Sequence, residues 1–171
     1  MTDDAHPGAA AAERIAALLT ARGIPFRVHE HHVSRTVADA LETLPFPPEQ
    51  LLKAIVFRVK DGPWVLAALR GLDRVNYKML ADALAVRRAD ISRPDPAEVE
   101  AALGYAMGGV CPIPPNDATR TIVDARAASD LDTVFCGIGR DDRTLEIALA
   151  DLIAVSGALV APIAQETESV A

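Results

Sequence analysis

The stretch Leu103–Pro115, Leu-Gly-Tyr-Ala-Met-Gly-Gly-Val-Cys-Pro-Ile-Pro-Pro, restricts the fold of this chain more than any other. Gly104, Gly108 and Gly109 can take positive φ and let another group approach the main chain closely. Pro112, Pro114 and Pro115 hold φ near one value and remove N–H donors. Glycines followed closely by prolines make a loop of definite shape. Two readings of it stand side by side. It is a connection with unusual torsions that binds nothing, or its free amides receive a small polar group, such as a carbonyl oxygen gaining charge.

The flanks read as alternating short helices and strands. Ala9 to Arg22 carries Ile15, Leu18 and Leu19 on one helical stripe, and Gly23 stops it. Ile24 to His29 reads as a strand. Thr36-Val-Ala-Asp39 resembles a capping box that opens a short helix to Leu44. Ala54 to Val59 is apolar on both faces apart from Arg58, and Asp61-Gly62 turns it back into Trp64 to Leu69. Asn76 to Leu84 has helical spacing. Asp95-Pro-Ala-Glu98 begins a helix with an N-cap Asp and Pro at its first position, and Gly104 ends it. After the loop, Thr121 to Asp124, Thr133 to Cys136 and Thr144 to Leu149 read as strands, with Gly137-Ile-Gly139 a tight turn and Asp151 to Val155 a last short helix. The strands follow one another like hairpins. The expectation is a single α+β domain over residues 1–171, with a mixed, largely antiparallel sheet or a barrel-like core and helices around it. Loose tails are expected over about 1–8 and 163–171.

Charge and cysteine content exclude several classes. The chain has 171 residues and a formal net charge of −7, which argues against a long nucleic-acid-gripping surface while leaving room for reading the end of an RNA. No apolar run approaches membrane-spanning length, the acidic N-terminus is unlike a signal peptide, and two cysteines make no disulfide framework. A cytoplasmic protein is expected.

Chemistry-bearing motifs are few. No Walker loop, CxxC pair or nucleophile elbow is present. His29 and His31 would share one face of a strand, and a metal-dependent hydrolase built on them is one alternative; no metal or other cofactor is assigned. Cys111 lies in the glycine loop without a neighbouring base, and reads as a small residue filling space. Cys136 ends an apolar strand and reads as core. Lys53, between Leu52 and Ala54, must aim its ammonium into water, at a partner or into a cleft.

Four stretches together resemble the YbaK/prolyl-tRNA-synthetase-associated domain family of aminoacyl-tRNA deacylases. They are Leu52-Lys53-Ala-Ile-Val-Phe57, Gly71-Leu-Asp-Arg-Val-Asn-Tyr-Lys-Met-Leu80, Gly104-Tyr-Ala-Met-Gly-Gly-Val-Cys-Pro112, and Cys136-Gly-Ile-Gly139 with Leu145-Glu-Ile147. The resemblance runs from about Pro25 to Leu152 and rests on the order and spacing of the stretches. It implies a free-standing trans-editing protein that hydrolyses the ester of a mischarged tRNA, such as Cys- or Ala-tRNA for proline. Its partners would be the tRNA's 3′ aminoacyl-adenosine end and prolyl-tRNA synthetase. A paralogue that binds an aminoacyl-tRNA or a synthetase without catalysis is the other alternative.

By the same likeness Lys53, Gly108 and Gly109 are the catalytic positions: Lys53 contacts the terminal adenosine or its phosphate, and the glycine amides hold the aminoacyl carbonyl. Tyr105, Val110, Cys111, Pro112, Gly137, Gly139 and Glu146 are the substrate-binding positions. Catalysis would be substrate-assisted, which agrees with the missing triad. The chain departs from the family at Cys111, where Ser is common, at Glu146, where Asp is frequent, at Asn76, often Asp, and at Leu103, often polar. On this reading Gly108→Ala costs activity far more than stability, and Lys53→Ala leaves the fold unchanged.

Overall fold

The computed structural model describes residues 5–165. Its first helix, α1 (Ala9–Ala21), buries Ala11, Ile15 and Leu19, one helical face, and gives way at Gly23, whose φ is +67°. Strand β1 (Phe26–Glu30) and helix α2 (Val37–Thr43) follow, and the Thr36 hydroxyl accepts from the Asp39 amide at 3.0 Å as the sequence led one to expect. β2 (Leu52–Val59) and β3 (Trp64–Arg70) form the hairpin, turning where Asp61 takes φ +55°. β4 (Arg74–Val75) leads into α3 (Tyr77–Leu84), capped by Asn76 on the Met79 amide at 3.0 Å. β5 (Ile91–Ser92) precedes α4 (Pro96–Leu103), which Gly104 ends at φ +75°. Asp95 stands at the N-cap of α4, but its side chain makes no capping hydrogen bond.

The second half departs from hairpin-like succession. β6 (Thr119–Asp124) does not pair with its successor; it runs parallel to β3. Ile122 and Val123 are both fully buried, one on each face, which is the pattern of a strand inside a parallel region. A helix missed in the sequence, α5 (Ala125–Asp130), takes the chain away from that sheet, because Ala-Arg-Ala-Ala-Ser-Asp offers little apolar periodicity. β7 (Thr133–Gly137) and β8 (Arg143–Ala148) then form an antiparallel pair whose outer edge is β1. α6 (Leu149–Ser156), β9 (Leu159–Ala161) and β10 (Ala164–Gln165) complete the chain.

The result is a mixed α+β domain with two principal sheets. One has the order β5-β2-β3-β6-β9 and the other β1-β8-β7, while β10 pairs with β4. No closed barrel forms among the described residues; the two sheets meet through the bridge between Leu51 and Phe135. Period-two alternation splits the core. Leu52 and Val56 join Leu66 and Val123 in packing toward α1 and the three-stranded sheet. Phe57 and Val59 join Val65 and Ile122 in packing toward α3. No helix among the described residues is long and apolar enough to cross a membrane.

The ends are more firmly held than expected. Residues 1–4 and 166–171 lie outside the described residues, but His6 reaches Asp141 at 3.1 Å and Gly8 packs on the Gly139 carbonyl. At the other end Ile163 is fully buried, and Ala164 and Gln165 pair with Val75 and Arg74.

Asp124 ties that end down. Its carboxylate caps α5 through the Arg126 and Ala127 amides at 3.2 and 3.4 Å. It also accepts from the Ile163 and Ala164 amides at 2.9 and 3.1 Å. Asp124→Ala strands all of these donors in a site only 2% exposed, so unfolding free energy should fall by about 2–4 kcal/mol. Asp124→Asn, which retains one acceptor oxygen, should lose about half as much. Denaturant midpoints of the two variants check the order.

Candidate active site

The site begins at an unpaired strand edge. β2 pairs with β3 from Leu52 to Arg58, but with β5 only at Arg58 and Val59. Residues 52–56 line a cleft of about 290 Å³. Its other walls come from residues 34–37 and α2, from the glycine loop at Met107, Gly108 and Val110, and from Phe135 to Gly137 of β7. Among the described residues, the charged ones that line it are Lys53, Arg35, Arg93 and Arg143, and no carboxylate does so. In a chain of net charge −7 this is a local inversion. Such a lining suits an anion or an oxygen gaining negative charge.

Lys53 is the second residue of β2, opposite Leu69, rather than a residue before the strand. Its ammonium donates to the Gly71 carbonyl at 3.0 Å and to the Asp73 carbonyl, which leaves one of its three donors. Half-burial lowers its pKa below the usual lysine range; the Asp73 carboxylate opposes that shift and Arg74 adds to it. Asp73 is itself buried, with Arg70 Nε 2.7 Å away. The lysine is therefore held in one place by the turn that follows β3.

The glycines are explained by backbone meeting backbone. The Gly139 amide donates to the Gly109 carbonyl at 2.6 Å, and the Ala106 amide to the Gly139 carbonyl at 2.9 Å. A Cβ on Gly137 would lie 2.4 Å from the Val110 oxygen, and one on Gly109 2.2 Å from the Arg140 oxygen. Gly108, at φ +90°, sits against residues 34–35, where a Cβ would come 2.4 Å from the Ser34 oxygen. The loop and the turn at 137–139 thus interlock. The Gly109 amide, expected to face a substrate, donates instead to the Ala106 carbonyl at 2.9 Å. The amides of Gly108 and Val110 have no hydrogen-bond acceptor among the described residues, and both residues line the cleft.

Four of the sequence-named positions therefore meet at the cleft: Lys53, Gly108, Val110 and Gly137. Gly109 supports the loop from behind. Tyr105 is fully buried and its hydroxyl donates to the Ile113 carbonyl; burial pushes its ionisation far above the usual tyrosine range. Thr121 holds the Pro112 carbonyl at 2.5 Å. Cys111 is fully buried, and burial raises its thiol to about 12. Burial also raises Cys136 well above the usual range. Gly139 packs on Ala11 of α1. Glu146 meets His29 at 3.0 Å, one strand-width from Phe135.

The histidines have other partners than a shared metal. His29 Nε2 contacts Glu146, and His31 Nε2 lies 2.8 Å from the Thr144 hydroxyl. A group of three possible ligands does occur at His6, Asp141 and Asp142, but Arg140 and Arg143 neutralise Asp142 from 2.8 and 3.0 Å. Sequence reading missed Arg35, Arg93, Arg143 and Thr144. They come from scattered loops and strand ends, and no spacing rule links them.

Comparison with known proteins supplies the context. The sequence profile of the aminoacyl-tRNA editing domain matches residues 31–155, most of the chain. Proline–tRNA ligase of Acidithiobacillus ferrooxidans is 32% identical over 93 residues, which is 54% of this chain and only 16% of the ligase. Among solved structures, hypothetical protein APE2540 superposes with a TM-score of 0.78 at 24% identity, covering 89% of this chain and 99% of that one. A candidate trans-editing enzyme for prolyl-tRNA synthetase superposes at 0.77 with 23% identity, covering 91% of this chain and 98% of that one. At those identities the superpositions show a shared fold.

Two outcomes follow from this geometry. Both cysteines should resist alkylation by iodoacetamide at pH 8 in the native protein and react fully in denaturant, because buried, protonated thiols are poor nucleophiles. Mass spectrometry reads the difference; rapid native labelling of Cys111 would refute it. Gly108→Ala should lower stability by about 2 kcal/mol or more, since its Cβ meets main chain at positive φ. The sequence reading expected the cost to fall far more on activity than on stability, and thermal melting beside turnover decides between the two.

Proposed function

The chain belongs to the aminoacyl-tRNA editing domain family, and we propose that it hydrolyses the ester between a wrong amino acid and its tRNA. The observation that supports this reading best is the cleft itself. It joins an anchored lysine to two unpaired amides within a cationic lining. That set suits the 3′ end of an RNA and a carbonyl oxygen that becomes an oxyanion.

In the proposed reaction Lys53 presents its remaining donor to a ribose or phosphate oxygen of the terminal adenosine. The Gly108 and Val110 amides take the ester carbonyl oxygen and stabilise its charge as water adds to the carbon. The bond from that carbon to the ribose oxygen then breaks, the ribose oxygen takes a proton, and free amino acid and tRNA leave. Cys111 is not the nucleophile, since its thiol stays protonated behind the loop. No carboxylate among the described residues lines the cleft, and in this reading the proton of the attacking water passes to groups of the substrate. The ester is already activated, and positioning supplies much of the acceleration. Cys- and Ala-tRNA for proline are the first substrates to test, and prolyl-tRNA synthetase is the proposed companion.

A deacylation panel of mischarged tRNAs tests the reading directly. A protein that binds these tRNAs and deacylates none of them is a non-catalytic paralogue. With a substrate in hand, Lys53→Ala should lose about 10²-fold in kcat/KM, through both KM and kcat. Lys53→Arg should be impaired too, because the planar fork does not fit the two carbonyls that hold an ammonium. The half-buried ammonium bonds two carbonyls, so Lys53→Ala should also lower stability, by about 1–2 kcal/mol, in place of the unchanged fold expected from sequence. Because its pKa is lowered, the substrate hold it provides should fade on the alkaline side before an ordinary lysine would deprotonate. Activity should survive a chelator. Normal deacylation by Lys53→Ala on every substrate would sink the assignment.

A further inference from the structure

Two arginines beside the cleft have no part in the ester chemistry and no carboxylate partner among the described residues. Arg93 lines the mouth of the cleft, exposed, with its guanidinium carbon 5.8 Å from the centroid of the Phe57 ring. Phe57 and Tyr77 meet edge-on at 5.5 Å, and Arg88 lies over the Tyr77 ring, 4.1 Å from its centroid. The order is cation, ring, ring, cation. Such contacts engage the flat face of a guanidinium and leave its N–H edge for other acceptors. The neighbouring Arg87 behaves differently, since Asp90 takes its guanidinium in two bonds of 2.9 Å. Both guanidinium groups are thus held against rings without a carboxylate partner among the described residues, in a chain where carboxylates outnumber cations by 24 to 17.

Their placement continues the line of Lys53. Lys53 and Phe57 stand four residues apart on β2 and so share one face, about 13 Å from each other. The ring ladder then carries the series on to Arg88. Cations thus lead from inside the cleft, past its mouth and onto the adjoining surface.

We propose that Arg93 and Arg88 form a phosphate track for the acceptor end of an RNA whose 3′ terminus occupies the cleft. The proposal rests on the reading of the cleft as a site for an aminoacyl-RNA end. The track binds backbone phosphates, so it contributes affinity and alignment rather than base specificity. In a chain of net charge −7, a short track beside the cleft accounts for how one end of an RNA is held.

The test is a titration of an uncharged RNA hairpin that carries an acceptor stem and a single-stranded 3′ end, repeated over a series of salt concentrations. Arg88→Gln and Arg93→Gln should each weaken binding about three- to tenfold at low salt. Each should reduce the slope of log Kd against log salt by about 1, and the double variant by about 2. Arg88→Lys and Arg93→Lys, which keep the charge, should keep most of the slope. Arg87→Gln, next door but already paired, should change neither affinity nor slope. Melting curves confirm that each variant is folded, and Arg88→Met and Arg93→Met, which also remove the charge, carry the test if a glutamine variant is not.

A slope unchanged by both substitutions, or an equal loss from Arg87→Gln, overturns the track. Binding of an acidic protein instead of the hairpin at these arginines overturns it as well. The readout needs no turnover, so the two readings fail separately. A protein that deacylates nothing but shows the track refutes the hydrolase alone. A deacylase whose RNA affinity ignores Arg88 and Arg93 refutes the track alone.

Discussion

The contact on which the rest of this structure depends is between two pieces of main chain. The Gly109 carbonyl accepts from the Gly139 amide, the Gly139 carbonyl accepts from Ala106, and Gly137 lies against the Val110 carbonyl. Side chains would hold these strands of backbone too far apart for such bonds, so glycine is required on both sides. The contact fastens the loop after α4 to the end of β7 and to the turn before β8. It does so without adding side-chain bulk, which leaves space in front of the loop. That space is the cleft.

The electrostatics of the cleft follow from the same arrangement. Carboxylates are plentiful in the chain, yet those nearest the site are turned to arginines or a histidine. Asp73 meets Arg70, Asp141 meets Arg35 and His6, and Asp142 meets Arg140 and Arg143. Lys53 is held by carbonyl oxygens rather than by a carboxylate side chain, so its charge is directed without being neutralised by direct contact. The desolvation that lowers its pKa is the cost of holding it there. A lysine on a flexible surface stem would keep its ordinary pKa but would have no fixed position.

Residues read from sequence as one group divide into two layers in space. Lys53, Gly108, Val110 and Gly137 form the wall of the cleft, while Tyr105, Cys111 and Pro112 form the packing that shapes the loop from behind. The burial of Cys111 makes the division chemical as well as spatial, because it raises the thiol to about 12. Adjacent loop residues point to opposite sides of the main chain, and sequence order does not reveal which side carries the ligand. The arginines of the cleft show the converse. Arg35, Arg93 and Arg143 are far apart in sequence and meet only because β2, β7 and the loop are brought together.

The sequence by itself determined the local pieces. Helix stripes, the cap at Thr36, the stops at Gly23 and Gly104 and the β2–β3 hairpin are decided by torsions and hydrogen bonds a few residues long. It also singled out the glycine loop and Lys53, because each breaks the pattern around it. Only the tertiary structure decided that β6 runs parallel to β3, that α5 breaks the succession of strands, and that the Gly109 amide serves the loop while those of Gly108 and Val110 find no acceptor among the described residues. Those outcomes depend on which distant segments share a core and which main-chain groups find partners there. Short-range propensity carries no information about either.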